Sequence, residues 1–274
     1  MADVLTTGAV LDDSLVELMD QEVIVSGAGI NKIDAFVEYP TDIDGKSMTF
    51  TIYSKLAVAT TALTDGTDVD AVAMADTSVV VTPSEYGNAI TVTKLADLQT
   101  GGKGSRAAGK LTGINVSETT NALGVAALEG GTNTTAAATP GTTAKADLRA
   151  AYTRLADKKI PKINGYYVAY MNPAQVSDIK DDYISIAQNT NLDLATNGVV
   201  ATYEGFLVVE DADATAGKVS CFGMGAIGRG ASAEPELKIT GPFDKLGRNL
   251  NIGWHGVLDY VLVDDSAVEI ITGA

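Results

Sequence analysis

An α+β fold is the class this sequence predicts, and three observations carry it. Residues 46–93 read as one long β excursion. A helical stretch follows over 103–129. Beyond it, helical periods alternate with compact apolar runs until the chain ends in strands. Helices layered on sheet bury such patterns around a shared core.

The excursion runs out through Met48, Thr49, Phe50, Thr51, Ile52 and Tyr53, with apolar and polar side chains alternating. It returns through Val79, Val80, Val81 and Thr82, then Ile90, Thr91, Val92 and Thr93. Both limbs are rich in β-branched residues, which suit a pleated surface. Pro83, Ser84 and Gly87 predict a turn or bulge in the returning limb. An acidic stretch with Asp65, Gly66, Asp68 and Asp70 lies between the limbs. The segment has no core of its own, and a lone two-stranded ribbon is marginal in water. It needs another surface, and a neighbouring subunit is the expected source.

The remaining elements follow in order. Leu11, Leu15, Val16, Leu18 and Met19 line a short helix face, with Asp12 or Asp13 near its start, before Ser26–Gly29 breaks the pattern. Residues 1–32 carry too little apolar area for a domain and read as an arm. Ile33, Ala35, Val37 and Tyr39 alternate with Asp34, Phe36 and Glu38 and predict a strand that Pro40 ends. Leu95–Leu98 leads into Gly101, Gly102 and Gly104. Ala107, Leu111, Ile114, Ala122, Val125 and Leu128 then form a helical stripe. That helix would span roughly 40 Å. Gly109, Gly113 and Gly124 weaken it, each by about 1 kcal/mol against Ala, so tertiary packing must hold it. The same glycines suit the close approach of a sheet.

Residues 130–143 read as a loop, and Thr143 is the expected cap of a helix over 144–157 with Leu148, Ala151, Tyr152 and Leu155 on one face. Pro161 stops the pattern. Tyr166–Met171 predicts a buried strand, and Pro173 opens a helix with Val176, Ile179, Ile184 and Ile186. Phe206–Val209, then Val219, Cys221 and Phe222, then Leu250–Val263 and Val268–Ile271 predict strands. No repeat of 20–50 residues is apparent, which argues against a solenoid or propeller.

Composition narrows the function classes. With 274 residues, 46% hydrophobic and 20% charged, the chain can bury the core of one or two domains. Its 35 acidic and 19 basic residues give a net charge of −16. That surface lacks the cationic excess needed to displace phosphate counterions, so non-specific nucleic-acid binding is disfavoured. It does not exclude a place beside nucleic acid that the chain does not grip. Cys221 stands alone, which excludes an intrachain disulfide and a multi-Cys zinc site. The first basic residue is Lys32, no apolar h-region follows the start, and no apolar run approaches 18 residues. These features predict an intracellular product, or one assembled inside a cell. The sequons at Asn115 and Asn133 then carry little weight.

Each candidate chemical site has a plainer reading that fits better. Gly223, Gly225 and Gly228 match dinucleotide-loop spacing, but Arg229 through Pro235 offers no helix to receive a pyrophosphate. Gly102, Gly104 and Ala107 precede a helix but lie too far from the last strand for a tight turn. His255 has Asp259 four residues on but no Ser in an elbow motif, so a packed or hydrogen-bonded histidine is expected. Asp65, Asp68, Asp70 and Asp76 lack EF-hand spacing and suit a solvated hairpin tip. Asp12–Asp13, Asp181–Asp182 and Asp264–Asp265 read as surface pairs. Lys158, Lys159 and Lys162 read as a solvated helix end without a stacking platform. The sequence therefore assigns no catalytic, cofactor-binding or metal residue, expects no cofactor, and predicts no enzyme.

The element order resembles that of tailed-bacteriophage major capsid proteins, whose Hong Kong 97-type coat fold also occurs in encapsulins. Three strings carry the likeness in one coat subfamily. They are Val81–Thr82–Pro83–Ser84–Glu85–Tyr86–Gly87 in the returning limb, Gly165–Tyr166–Tyr167–Val168–Ala169–Tyr170–Met171–Asn172–Pro173 at a strand-to-helix step, and Asn251–Ile252–Gly253–Trp254–His255–Gly256 in a late strand. The resemblance implies an N-terminal arm at 1–33 and an extended β loop at 42–92. It implies a peripheral domain with a long spine helix at 93–130 and 226–274, and an axial domain at 131–225. It further implies self-assembly into hexamers and pentamers of an icosahedral head shell that encloses double-stranded DNA without sequence-specific binding. Portal, scaffolding and cement or decoration proteins become candidate partners, with no membrane involved. The implied location is the virion, after assembly in the host bacterial cytoplasm. The short arm predicts no long N-terminal propeptide acting as a fused scaffold. An encapsulin-like compartment is the alternative with the same fold. A soluble α/β enzyme or small-molecule binder built on 144–225 is the alternative from another class.

Overall fold

Residues 31–37, 39–66, 68–99, 102–186, 202–241 and 248–274 are described by the computed structural model, without the side chains of 39–42 and 181–186. The expected helix face at Leu11–Met19 lies outside them. In chain order the elements begin with β1 (Tyr39–Asp42), β2 (Met48–Tyr53), β3 (Asp76–Val81), β4 (Ser84–Thr93), α1 (Lys94–Gln99) and α2 (Lys103–Leu128). Then come β5 (Thr134–Ala136), α3 (Lys145–Asp157), β6 (Tyr167–Met171), α4 (Pro173–Ile186), β7 (Thr202–Tyr203) and β8 (Phe206–Glu210). The chain ends with β9 (Lys218–Phe222), β10 (Ile227–Thr240), β11 (Asn249–Leu262) and β12 (Val268–Thr272).

The long helix α2 lies against a four-stranded sheet ordered β1-β10-β11-β4. Its buried face is made of small and polar residues, among them Ala108, Gly109, Thr112, Gly113, Ser117 and Gly124. This corrects the first part of the expected stripe, because Ala107, Leu111 and Ala122 are exposed, whereas Val125 and Leu128 are buried as expected. Close approach selects for small side chains, not large ones: a Cβ on Gly124 would sit 2.5 Å from Ile33 Cγ2. The buried hydroxyls are satisfied within the helix, as when Thr112 Oγ1 donates to the Ala108 carbonyl at 2.8 Å. Ala108, Leu237 and Ile252 seal the space between helix and sheet.

Ile33–Phe36 is a 3-10 turn, not the expected strand. Asn31 Oδ1 accepts the Asp34 amide at 3.2 Å, a local bond that competes with extended backbone. The strand starts at Tyr39 and runs through Pro40, parallel to β10 at Gly228–Ala231. Proline is tolerated there because β1 is an edge strand. Pro235 lies where the β10–β11 register shifts, which also spares it a ladder bond.

The excursion divides at Pro83. β2 and β3 pair antiparallel with Phe50 opposite Val79, whereas β4 leaves them and pairs with β11. The base of this ribbon does have a small core, where Ile43, Phe50 and Val81 pack with Val263. Beyond Tyr53 and before Asp76 no helix or strand forms among the described residues.

A six-stranded sheet, β5-β12-β9-β6-β8-β7, carries the main core. All five residues of β6 are buried, as expected for a strand flanked on both edges. Leu148, Ala151 and Leu155 of α3 and Val176 and Ile179 of α4 cover it, and α2 contributes Val125 and Leu128. Each such side chain contributes about 1.5–3 kcal/mol on full burial. Thr143 is not the cap of α3. Asp147 reaches back to the Ala144 amide at 3.2 Å and the Ala138 amide at 2.9 Å. β12 pairs with β5 and β9, so the last strand returns to the six-stranded sheet.

Candidate assembly surfaces

The ribbon tip is where the fold leaves apolar residues uncovered. Tyr53, Leu56, Val58, Leu63, Val69, Val72 and Met74 are between 59% and 77% exposed. Large apolar residues grouped this way on one projection mark an interaction surface. Asp65, Asp68, Asp70 and Asp76 are exposed there, and Asp68 Oδ1 accepts the adjacent Val69 amide. Among the described residues, no group of three or more His, Cys, Asp or Glu is placed to hold a metal.

The other candidates are drawn into structural roles. His255 Nε2 lies 2.8 Å from Glu85 Oε1 across β4 and β11, while Asp259 accepts the Tyr260 amide. Gly223 sits between β9 and β10, where a Cβ would meet Ile160 Cγ2 at 2.5 Å and the Pro161 carbonyl at 2.7 Å, and Gly228 lies within β10, where a Cβ would meet Val263 Cγ2 at 2.7 Å. Gly102 precedes α2 with φ of +79°, and Asp97 already accepts the Ser105 amide at that helix start. Asp264 accepts the Ser266 amide, and Asp265 holds the Thr132 amide at 2.8 Å. Asp12–Asp13 lies outside the described residues, as do the Asp181–Asp182 side chains. Lys158 pairs with Glu269 at 3.6 Å, and Arg154 joins that buried carboxylate at 2.8 Å. Lys162 donates to the Tyr152 hydroxyl at 2.6 Å and lies over the Tyr152 and Tyr167 rings. Those rings are aromatic neighbours that sequence order concealed.

One cluster escaped the sequence altogether. Asn121, fully buried on α2, accepts from the Lys32 amide at 3.1 Å, the Ile33 amide at 3.3 Å and the Tyr170 hydroxyl at 3.2 Å. Its Nδ2 donates to Asp211 Oδ2 at 2.8 Å and Asp213 Oδ2 at 2.6 Å. The Tyr170 hydroxyl also makes a short bond to Asp211. Lys32 Nζ donates to the Glu210 carbonyl at 2.5 Å. On the other side, Tyr260 donates to Asp34 at 2.6 Å, and Asn31 Nδ2 bonds both Asp34 and Thr120 Oγ1. Burial pushes the Asp211 carboxyl up, yet bonds from Tyr170, Asn121 and the Asp213 amide, with Lys32 nearby, together hold it below its ordinary value. Burial, with Asp211 beside it, pushes the Tyr170 hydroxyl up. The sequence signal was faint: an Asn and a Thr on the buried side of a helix.

No described helix is long and apolar enough to cross a membrane. Residues 106–271 match the family model described as phage capsid protein. No curated protein matches the chain. The capsid of the cyanophage P-SCSP1u aligns over 85% of this chain and 85% of its own, with TM-score 0.68 at 12% identity. A Mycobacterium phage Che8 structure aligns over 84% and 85%, with TM-score 0.67 at 14% identity. A virus-like particle from Pyrococcus furiosus aligns over 93% and 98%, with TM-score 0.61 at 12% identity. Such low identities speak to the fold alone, and that fold is the Hong Kong 97-type coat fold of mixed α+β class. With the family match spanning more than half its length, the chain belongs to the phage capsid protein family and is a structural component of the virion.

Proposed function

We propose that this chain is a major head protein that self-assembles into hexamers and pentamers of an icosahedral shell around double-stranded DNA. The observation that carries the reading is the exposed apolar ribbon tip, from Leu56 to Met74, which has no cover among the described residues. A neighbouring copy supplies that cover in a closed shell. In this reading residues 1–33 are the arm, 42–92 the extended loop, and 93–130 with 226–274 the peripheral domain. Residues 131–225 form the axial domain, whose six-stranded sheet also takes in β12. Assembly takes place in the host cytoplasm. Portal, scaffolding and decoration proteins are further partners, and neither catalysis nor a cofactor is involved. The acidic surface, net −16 over the chain, keeps the DNA mobile during packaging.

The test is to replace residues 56–74 with a short turn that keeps β2 paired to β3. A folded subunit that no longer forms closed particles is expected by electron microscopy. Normal shells would sink the reading. The likeness to a virus-like particle favours one second reading, a shell with a cargo other than DNA. Nuclease-protected DNA in purified particles decides against it.

A further inference from the structure

The Asn121 cluster lies where three parts of the chain meet. It joins α2, the end of β6 with the turn after β8, and the backbone at residues 32–33. A fully buried helix position is ordinarily apolar. Here the amide is used completely: its oxygen takes the Lys32 and Ile33 amides and shares the single Tyr170 hydroxyl proton with Asp211, and its nitrogen serves two carboxylates. Apolar packing tolerates a roll of one element on another, but a saturated buried network specifies one geometry. Tyr260 on Asp34 brings the four-stranded sheet into the same tie.

We propose that Asn121 is a positioning residue for assembly. It fixes the roll of the long helix against the six-stranded sheet and the point where the chain before Ile33 meets the body. It thereby sets the angle at which subunits join. This inference rests on the shell reading above. Closed assemblies need a rotation that closes, and repetition around the shell multiplies a small error in each subunit.

Asn121→Ala removes the hub, and Tyr170→Phe removes one partner while keeping the ring. Ile271→Val, a core change in β12 with no bond to the cluster, is the control for lost stability. Particles from expressing bacteria are sized by electron microscopy, and amide exchange at Lys32 and Ile33 is followed in the free subunit. Both cluster variants are expected to exchange faster there and to give mixed diameters or open forms. The control is expected to keep one diameter. Cluster variants that keep the parent diameter, or parent exchange at Lys32 and Ile33, overturn the proposal. If Asn121→Ala fails to fold, Tyr170→Phe still gives both measurements. A parent chain that forms no closed particle removes the shell reading and this claim together. Uniform shells from both variants remove this claim alone.

Discussion

Strand β6 and the ribbon tip are built from similar apolar residues but stand in opposite surroundings. Tyr167–Met171 is buried throughout, with β9 and β8 on its two edges. Leu56, Val58, Leu63, Val72 and Met74 face solvent. Hydrophobicity therefore does not decide burial on its own; the availability of a partner does. The six-stranded sheet finds its partners within the chain and stabilises the subunit. The tip finds none among the described residues, and in the proposed shell a neighbouring copy supplies one.

The largest expected effect tests the sheet side. Phe206→Ala, at a fully buried β8 position, should cost about 3–5 kcal/mol in urea unfolding of the subunit. A loss within experimental error would mean the sheet is not the source of stability. The tip side should behave the other way. Leu56→Ser with Val72→Ser should leave subunit unfolding within about 0.5 kcal/mol of the parent but abolish or delay particle formation in light scattering. A clear drop in subunit stability would show that the tip packs at home.

Acid sharpens the contrast, since the charged cluster lies on the body and not on the tip. The Asp211 carboxyl is held below the value near 3.9 of an unfolded aspartate. Its stabilisation is therefore fully present above that value and disappears as pH falls through the lower, folded one. Glu204, bonded by Arg149 despite partial burial, shifts the same way and adds to the same limb. Asp211→Asn should flatten the fall in thermal stability below about pH 4, and an unchanged acid limb would refute the assignment. The smallest effect belongs to His255. Its contact with Glu85 is solvent-exposed, so His255→Gln should move subunit stability by less than about 1 kcal/mol. A large loss of assembly in that variant would relocate an interface to the β4–β11 face.

Much of the fold was legible because local pattern and tertiary context agree. The expected helix over 103–129 is Lys103–Leu128, and the run through Met171 is a buried strand as read. Where they disagree, long-range partners win. Nothing near Ser84 announces that β4 joins a strand beginning at Asn249, or that Val268 returns to the other sheet. The stripe on α2 misled because its interior face accepts glycine and threonine, while Leu111 points outward. Asn31 turned an alternating run into a 3-10 turn through one bond to the Asp34 amide. The Asn121 cluster gathers residues separated by some 90 positions, which no local pattern reveals. The exposure of the tip was legible for a simpler reason: no apolar partner for it could be read within its own segment.

Cys221 offers a last consequence. It is the chain's single cysteine, wholly buried in β9 between β12 and β6, and burial raises its thiol above the ordinary range. Thiolate is the reactive form, so the intact sheet silences it. Every subunit thus carries one chemical fuse that stays inert until its central strands part. Alkylation of assemblies of this chain then becomes a count, copy by copy, of how many subunits have opened, since each copy carries a single thiol.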